Sequence, residues 1–150
     1  MRDGERFQDL LAALGAEDGL DLSPDPHGVV SILLEDVTVS LESPEGSTSL
    51  YLHAAVRRLG ADRAAAIETA LAQNLFRLPL SGAWLALDAT SDELLLCAAT
   101  PLAPLTPPAL RAWLAAMATG VRDLRDAQRD EAARRPATTA APESEWLIRA

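Results

Sequence analysis

The 150-residue chain is poor in the side chains from which catalytic and metal sites are built. Its single cysteine, Cys97, can form no intrachain disulfide, and its two histidines, His27 and His53, do not stand at a zinc-ligand spacing. The sequence has no phosphate-binding loop, dinucleotide fingerprint or paired-carboxylate motif. We therefore predict no catalytic residue, no metal site and no cofactor. An enzyme that uses His27, His53 or Cys97 is an alternative that requires the three side chains to converge, whereas the sequence assigns them to a turn and to two strands.

Positive charge and long apolar runs are also scarce. Thirteen Lys and Arg stand against 22 Asp and Glu, and the net charge of -9 would repel nucleic acid. The longest uncharged stretch, residues 94–110, contains four prolines, which argues against a membrane span. Acidic residues near the N-terminus replace the basic start of a secretory signal. These features predict a soluble cytoplasmic protein that binds neither nucleic acid nor membrane.

Apolar side chains make up 49% of the chain, and their spacing predicts secondary structure. Phe7, Leu10, Leu11 and Leu14 recur at helical spacing, and Gly15 is expected to end this first helix. Three strands follow as a meander over residues 27–35, 37–43 and 50–57. Asp62 is a candidate N-cap for a second helix that is expected to run to about Phe76.

The last third of the chain predicts a hairpin and a long helix. The hairpin strands are expected at residues 84–88 and 94–98, and Thr106 and Pro107 suit the first turn of the helix. The element order α-β-β-β-α-β-β-α predicts an α+β fold, a twisted antiparallel sheet packed with three helices. We expect residues 1–135 to form one domain and residues 136–150 to form a flexible tail with a short apolar end.

The predicted elements carry more apolar side chains than one sheet and three helices need for a core. Part of this surplus is expected to form an exposed apolar patch, because such patches on soluble proteins mark partner-binding sites. The chain at this stage is a candidate protein-binding module.

Three segments of the sequence resemble one family. The segments "FQDLLAALGAEDGLDLSPDPHG", "TSLYLHAAV" and "ALAQNLFRLPLSGAWLALDATSDELLLCAATPL", followed by a long closing helix, resemble the class I type III secretion chaperones, the Tir chaperone family. The similarity extends over residues 7–129. Its most specific portion is the helix ending in Asn74, Leu75 and Phe76, followed by Gly82, Ala83 and the "LALD" strand.

The resemblance implies a cytoplasmic homodimer without enzymatic activity. Such a chaperone binds the N-terminal segment of a secreted effector, keeps it extended and presents it to the export apparatus, with the secretion ATPase as a further partner. A dimeric adaptor or regulator on the same fold, not tied to secretion, is the alternative function.

The resemblance also implies two sets of binding residues. The expected dimer interface consists of Ile67, Leu71, Asn74, Leu75 and Trp84. The expected effector-binding residues are Phe7, Leu10, Leu11, Leu14, Val30, Ile32 and Leu34. Two alternatives stay open, since half of the effector-binding set could be core, and Asn74 could cap its own helix instead of bonding near the interface.

Overall fold

The computed structural model describes residues 3–134, so the tail predicted at residues 136–150 lies outside the described residues. Three helices and five strands occur in the described part, in the predicted order. Their bounds are α1 (Asp3–Asp18), β1 (Val29–Leu34), β2 (Val37–Glu42), β3 (Ser49–Arg58), α2 (Arg63–Gln73), β4 (Trp84–Asp88), β5 (Glu93–Pro101) and α3 (Pro107–Arg134). The predicted α+β fold is therefore confirmed.

The five strands form one antiparallel sheet in the order β1-β2-β3-β5-β4. A two-residue turn joins β1 to β2, because Leu34 pairs with Val37. Glu35 in this turn has a φ of 59°, as the tight hairpin turns of this length require. The order leaves β1 and β4 as the two edge strands of the sheet.

The hydrophobic core lies on one face of the sheet, against α3 and α1. Alternation of side chains produces this division: in β3, Leu50 and Leu52 point into the core, whereas Tyr51 and His53, which alternate with them, are half-buried on the opposite face. Helix α3 crosses β3 and β2 and buries Leu110, Met117 and Val121, and α1 packs against it. One face of the sheet is thus covered by two helices.

The first helix is longer than predicted. It continues through Gly15 to Asp18, and Gly19, with a φ of 67°, follows its last residue. Gly15 has a different role, because a Cβ at this position would lie 2.5 Å from the carbonyl oxygen of Leu20. The loop after α1 folds back so closely that its Leu20 N–H donates to the Gly15 carbonyl at 2.9 Å. The prediction that Gly15 ends the helix is wrong.

The second helix is shorter than predicted and ends at Gln73, not at Phe76. Asp62 does precede its first residue, but the carboxylate makes no capping bond and pairs instead with Arg57 at 2.8 Å. Strand β5 extends beyond the predicted residues at both ends, because it pairs along the whole length of β3. Thr106 caps α3 as expected, accepting a 3.4 Å hydrogen bond from the Ala109 N–H.

Candidate protein-binding surfaces

Large apolar side chains are exposed along α2 and β4. Leu71 and Leu75 lie one helical turn apart and are each 66% exposed. Phe76 just beyond the helix is 98% exposed, and Trp84 at the start of β4 is 38% exposed. Phe76 and Trp84 line the same shallow groove. We call Leu71, Leu75, Phe76 and Trp84 the α2–β4 patch.

Phe76 combines this exposure with an unusual backbone conformation. Its φ of 58° lies in the left-handed region, which costs a residue with a Cβ about 1–2 kcal/mol. The ring recovers almost nothing within the chain, since nearly all of its surface faces solvent. A bulky apolar side chain held in this way marks a candidate contact site for something outside the described residues.

Asn74 joins the end of α2 to the edge strand β4. Its side-chain Oδ1 accepts from the Leu85 N–H at 2.7 Å, and its Nδ2 donates to the Leu85 carbonyl at 3.1 Å. Asn74 also occupies the C-cap position of α2, but its backbone stays helical at a φ of -61°. Both backbone groups of Leu85 that face away from β5 are thereby occupied, so this amide covers the first part of the β4 edge and leaves the outward groups of Leu87 without a hydrogen-bond partner among the described residues.

The five residues predicted for the dimer interface divide into three groups. Leu71, Leu75 and Trp84 belong to the α2–β4 patch, and Asn74 supports it through β4. Ile67 is half-buried and packs against the chain's own core. Sequence reasoning left Phe76 out of the interface set, although its position after the family-like Asn-Leu pair could have indicated it.

The opposite edge of the sheet, at β1, is open. Asp25 occupies the outward backbone groups of only Val29, the first residue of β1. The Asp25 N–H donates to the Val29 carbonyl and the Asp25 carboxylate accepts from the Val29 N–H, both at 2.9 Å. By alternation along the strand, the N–H and C=O groups of Ser31 and Leu33 point away from β2. Within residues 3–134 no hydrogen bond reaches these four groups.

Leu33 adds an apolar side chain to this open edge. It is 68% exposed, whereas its neighbours along the strand point the other way, into the core. We call the outward backbone groups of Ser31 and Leu33, together with the Leu33 side chain, the β1 edge.

Most of the predicted effector-binding residues are core residues in this chain. Phe7, Leu10, Leu11, Leu14, Val30 and Ile32 are at most 8% exposed, and Leu34 is partly buried. Their burial favours the core interpretation for these side chains. Effector binding at these side chains stays a prediction. The atoms that α1 and β1 expose to solvent are mostly not those of the predicted side chains.

Arginines of α3 fix the end of the β1–β2 hairpin. The Arg122 guanidinium donates to the Leu34 carbonyl at 2.9 Å and to the Asp36 carboxylate at 2.8 Å. Arg125 donates to the carbonyls of Ala55 and Val56 in β3. The hydrogen bond from Arg122 lowers the pKa of the Asp36 carboxyl, so this group stays ionised near neutral pH.

The three residues of the enzyme alternative, His27, His53 and Cys97, are only partly separated in space. His53 and Cys97 are paired across β3 and β5, contrary to the expected separation, whereas His27 lies in the exposed turn before β1. Burial raises the pKa of the Cys97 thiol to about 11, and the charge of Glu42 adds to the shift. A thiol with this pKa is protonated at neutral pH, which is the opposite of nucleophile activation.

The described residues offer neither a metal-binding cluster nor a membrane-spanning helix. Between residues 3 and 134, no group of His, Cys, Asp and Glu is arranged to hold a metal ion. No helix in that part of the chain has the length and apolar character that a membrane crossing requires.

Solved structures share this fold. One chain of the HopA1–SchA chaperone–effector complex matches with a TM-score of 0.69 at 20% identity, covering 82% of this chain and 95% of that one. One from the ExsC–ExsE complex matches with a TM-score of 0.68 at 24% identity, covering 84% and 96%. One from the ExoT–SpcS complex of Pseudomonas aeruginosa matches with a TM-score of 0.59 at 21% identity, covering 80% and 97%.

Because the sequence identities are low, these structural likenesses show a shared fold and nothing beyond it. A search of the curated proteins found no match. The family model described as Tir chaperone protein (CesT) family matches residues 9–125, which is most of the chain and includes α2, β4 and the whole of β1. The chain therefore belongs to the Tir chaperone protein (CesT) family, as its resemblance predicted.

Proposed function

We propose that this chain is a cytoplasmic type III secretion chaperone. It binds the N-terminal segment of a secreted effector, keeps that segment extended and presents it to the export apparatus and its ATPase. The open β1 edge, on a chain of the Tir chaperone family, is the observation that carries this proposal. The fold that it shares with a chain of the HopA1–SchA chaperone–effector complex supports it.

Binding at the β1 edge takes place by strand addition. An extended segment pairs its backbone with the outward groups of Ser31 and Leu33, which gives affinity with little dependence on sequence. Its alternate side chains contact Leu33, and burying one large apolar side chain contributes about 1.5–3 kcal/mol. The strand needs no rearrangement to accept a partner, because its inward side chains anchor it in the core and Arg122 holds its end.

The chain forms a homodimer through the α2–β4 patch. This patch supplies the large exposed apolar side chains that an interface core needs. An isologous contact would bury each of these side chains once in each subunit. Asn74 occupies the outward backbone groups of Leu85 at the start of the β4 edge, beside Trp84, so the second copy meets side chains at this part of the edge.

The remaining parts of the proposal follow from this mode of action. A chaperone that only keeps a segment extended needs a binding surface and no catalytic group, so the proposed function includes no enzymatic activity. Residues 1–135 form the effector-binding domain, and residues 136–150 are a tail outside it. An adaptor or regulator would use the same two surfaces, and no observation favours it over the chaperone.

Leu33→Pro tests strand addition directly. Proline removes the outward N–H in the middle of the β1 edge, and an edge strand tolerates it on its free side. Leu33→Thr is the matched control, because it removes the apolar side chain but keeps the N–H and the strand propensity. Each variant is co-expressed with the N-terminal segment of a secreted effector encoded beside the chaperone gene, and the complex is weighed by light scattering.

We expect Leu33→Pro to lose the effector segment and Leu33→Thr to retain it with weaker affinity. Far-ultraviolet circular dichroism checks that both variants keep the fold. Full retention by a folded Leu33→Pro variant would exclude β1 as the binding edge. Failure of the wild-type chain to hold any such segment would contradict the chaperone function itself.

A further inference from the structure

The net negative charge of this protein comes from one part of the chain. Residues 1–46, which include α1, β1 and β2, contain eleven acidic residues and two arginines. Residues 47–150 contain eleven acidic and eleven basic residues and are neutral overall. The whole net charge of -9 therefore belongs to the part of the chain that carries the β1 edge.

Arginines of α3 compensate only a part of this charge. Arg111 pairs with Glu17 and Asp18, and Arg122 pairs with Glu35 and Asp36. Arg125, at 3.5 Å from Asp36, is a third. Counting all three against the charge of -9 leaves an excess of six negative charges on α1, β1, β2 and the loops between them.

Two carboxylates flank the β1 edge, one of them Glu35, which shares Arg122 with Asp36. Glu35 follows the last residue of β1, and its side chain is 84% exposed. Glu42 lies directly across from Val29, the first residue of β1. A strand added along Ser31 and Leu33 therefore runs between acidic groups at both ends.

We propose that the effector segment bound at the β1 edge carries net positive charge, with Lys or Arg flanking the residue that contacts Leu33. This inference rests on strand addition at β1 and specifies its ligand. Charge complementarity of this kind raises the association rate and suppresses partners of the wrong sign.

The same charge argues against a second copy of this chain as the occupant. Pairing two β1 edges would bring Glu35 and Glu42 of one copy close to those of the other. Like charges on adjacent strands are destabilising, and edge strands use charge to avoid such pairing. An acidic effector segment is disfavoured for the same reason.

A pair of fluorescent dodecapeptides tests the inference. Both have the same alternating valines and threonines, with four lysines in one and four glutamates in the other, and their binding to the full chain is measured by fluorescence anisotropy. We expect the lysine peptide to bind at least about fivefold more tightly at about 0.05 M NaCl. The ratio should approach one at about 0.5 M, where the screening length falls to a few ångströms.

Matched chain variants locate the effect. The double variant Glu35→Gln/Glu42→Gln removes two charges beside β1, and Glu68→Gln/Asp130→Asn removes two exposed charges from the neutral part. We expect the first to lower the preference for the lysine peptide about threefold and the second to leave it unchanged. Equal effects of the two would show that net charge, and not the β1 flank, sets the preference, and would overturn the proposal.

Leu33→Pro separates this inference from the proposed function. If the two peptides bind equally at low salt, or if the glutamate peptide binds more tightly, and binding is lost in Leu33→Pro, the charge inference is wrong and strand addition stands. If neither peptide binds, or if both still bind to Leu33→Pro, strand addition at β1 fails and the charge inference fails with it.

Discussion

Replacing Phe76 with glycine should separate dimerisation from folding. The ring is 98% exposed in the single chain, so its loss costs the isolated fold almost nothing. In an isologous dimer the ring is buried once per subunit, at about 1.5–3 kcal/mol each, or about 3–6 kcal/mol per dimer. At about 1.4 kcal/mol per tenfold change, the dimer dissociation constant should rise about 10²–10⁴-fold.

The backbone of Phe76 supplies an internal control. A φ of 58° is unstrained for glycine and strained for alanine, and both residues lack the ring. Phe76→Gly and Phe76→Ala should therefore weaken the dimer to a similar extent. The glycine variant should be more stable to urea by about 1 kcal/mol, measured at concentrations where both variants are monomeric.

Sedimentation equilibrium over a range of protein concentrations gives the dissociation constants. Leu33→Thr is the control for a general loss of exposed apolar surface, and it should leave dimerisation unchanged because β1 is at the other edge of the sheet. An unchanged dimer constant in Phe76→Gly would refute the reasoning, since it would place the interface away from the α2–β4 patch.

Three further substitutions test the elements that support these surfaces. Asn74→Asp keeps the acceptor for β4 but loses the donor, and urea denaturation should show a cost of about 1 kcal/mol; no change would mean that the amide is dispensable. Gly15→Ala should destabilise the chain although alanine has the better helix propensity, because the added Cβ would lie 2.5 Å from a carbonyl oxygen. Gly4→Ala in the same helix is the control: a Cβ there has open space around it, so urea denaturation should show a neutral or stabilising effect. The pKa of Asp36 is lowered in the fold from its usual 3.8, chiefly by its hydrogen bond from Arg122, so its contribution to stability is fully present above pH 3.8 and is lost as the pH falls from there through the lowered pKa. Asp36→Asn should flatten the acid limb of stability against pH, and an identical limb would contradict the assignment.

The sequence predicted the fold well because its local patterns agree with one another. Alternation in residues 37–42 and the proline after Thr106 indicate their elements without any tertiary information. The ends of helices were predicted less well. Gly15 has the chemistry of a helix terminator, but a contact with Leu20, made only after the loop folds back, gives it another role.

The binding surfaces were harder to predict for a physical reason. Leu11 and Leu71 both lie on apolar faces of helices, yet one is 2% exposed and the other 66%. Periodicity identifies the apolar face of a helix but not the partner that covers it, because another element of the chain and another chain satisfy the same pattern. The β1 edge was still less accessible to sequence reasoning, since its open groups belong to the backbone and depend on the order of strands in the sheet.

The two edges of the sheet explain why the proposed ligand has to be extended. Asn74 covers Leu85 on the β4 side, where the proposed second copy would pack, so we assign strand addition to β1 at the far edge. Four strand spacings of about 4.8 Å separate β1 from β4, or about 19 Å in each subunit. With the two sheets of the proposed dimer in line, the two β1 edges would lie roughly 40 Å apart. One effector segment that engages both must span that distance, which takes about 12 extended residues, and it cannot do so while it is folded into a compact unit. Extension of the effector then follows from where the open edges lie, without any input of chemical energy by the chaperone.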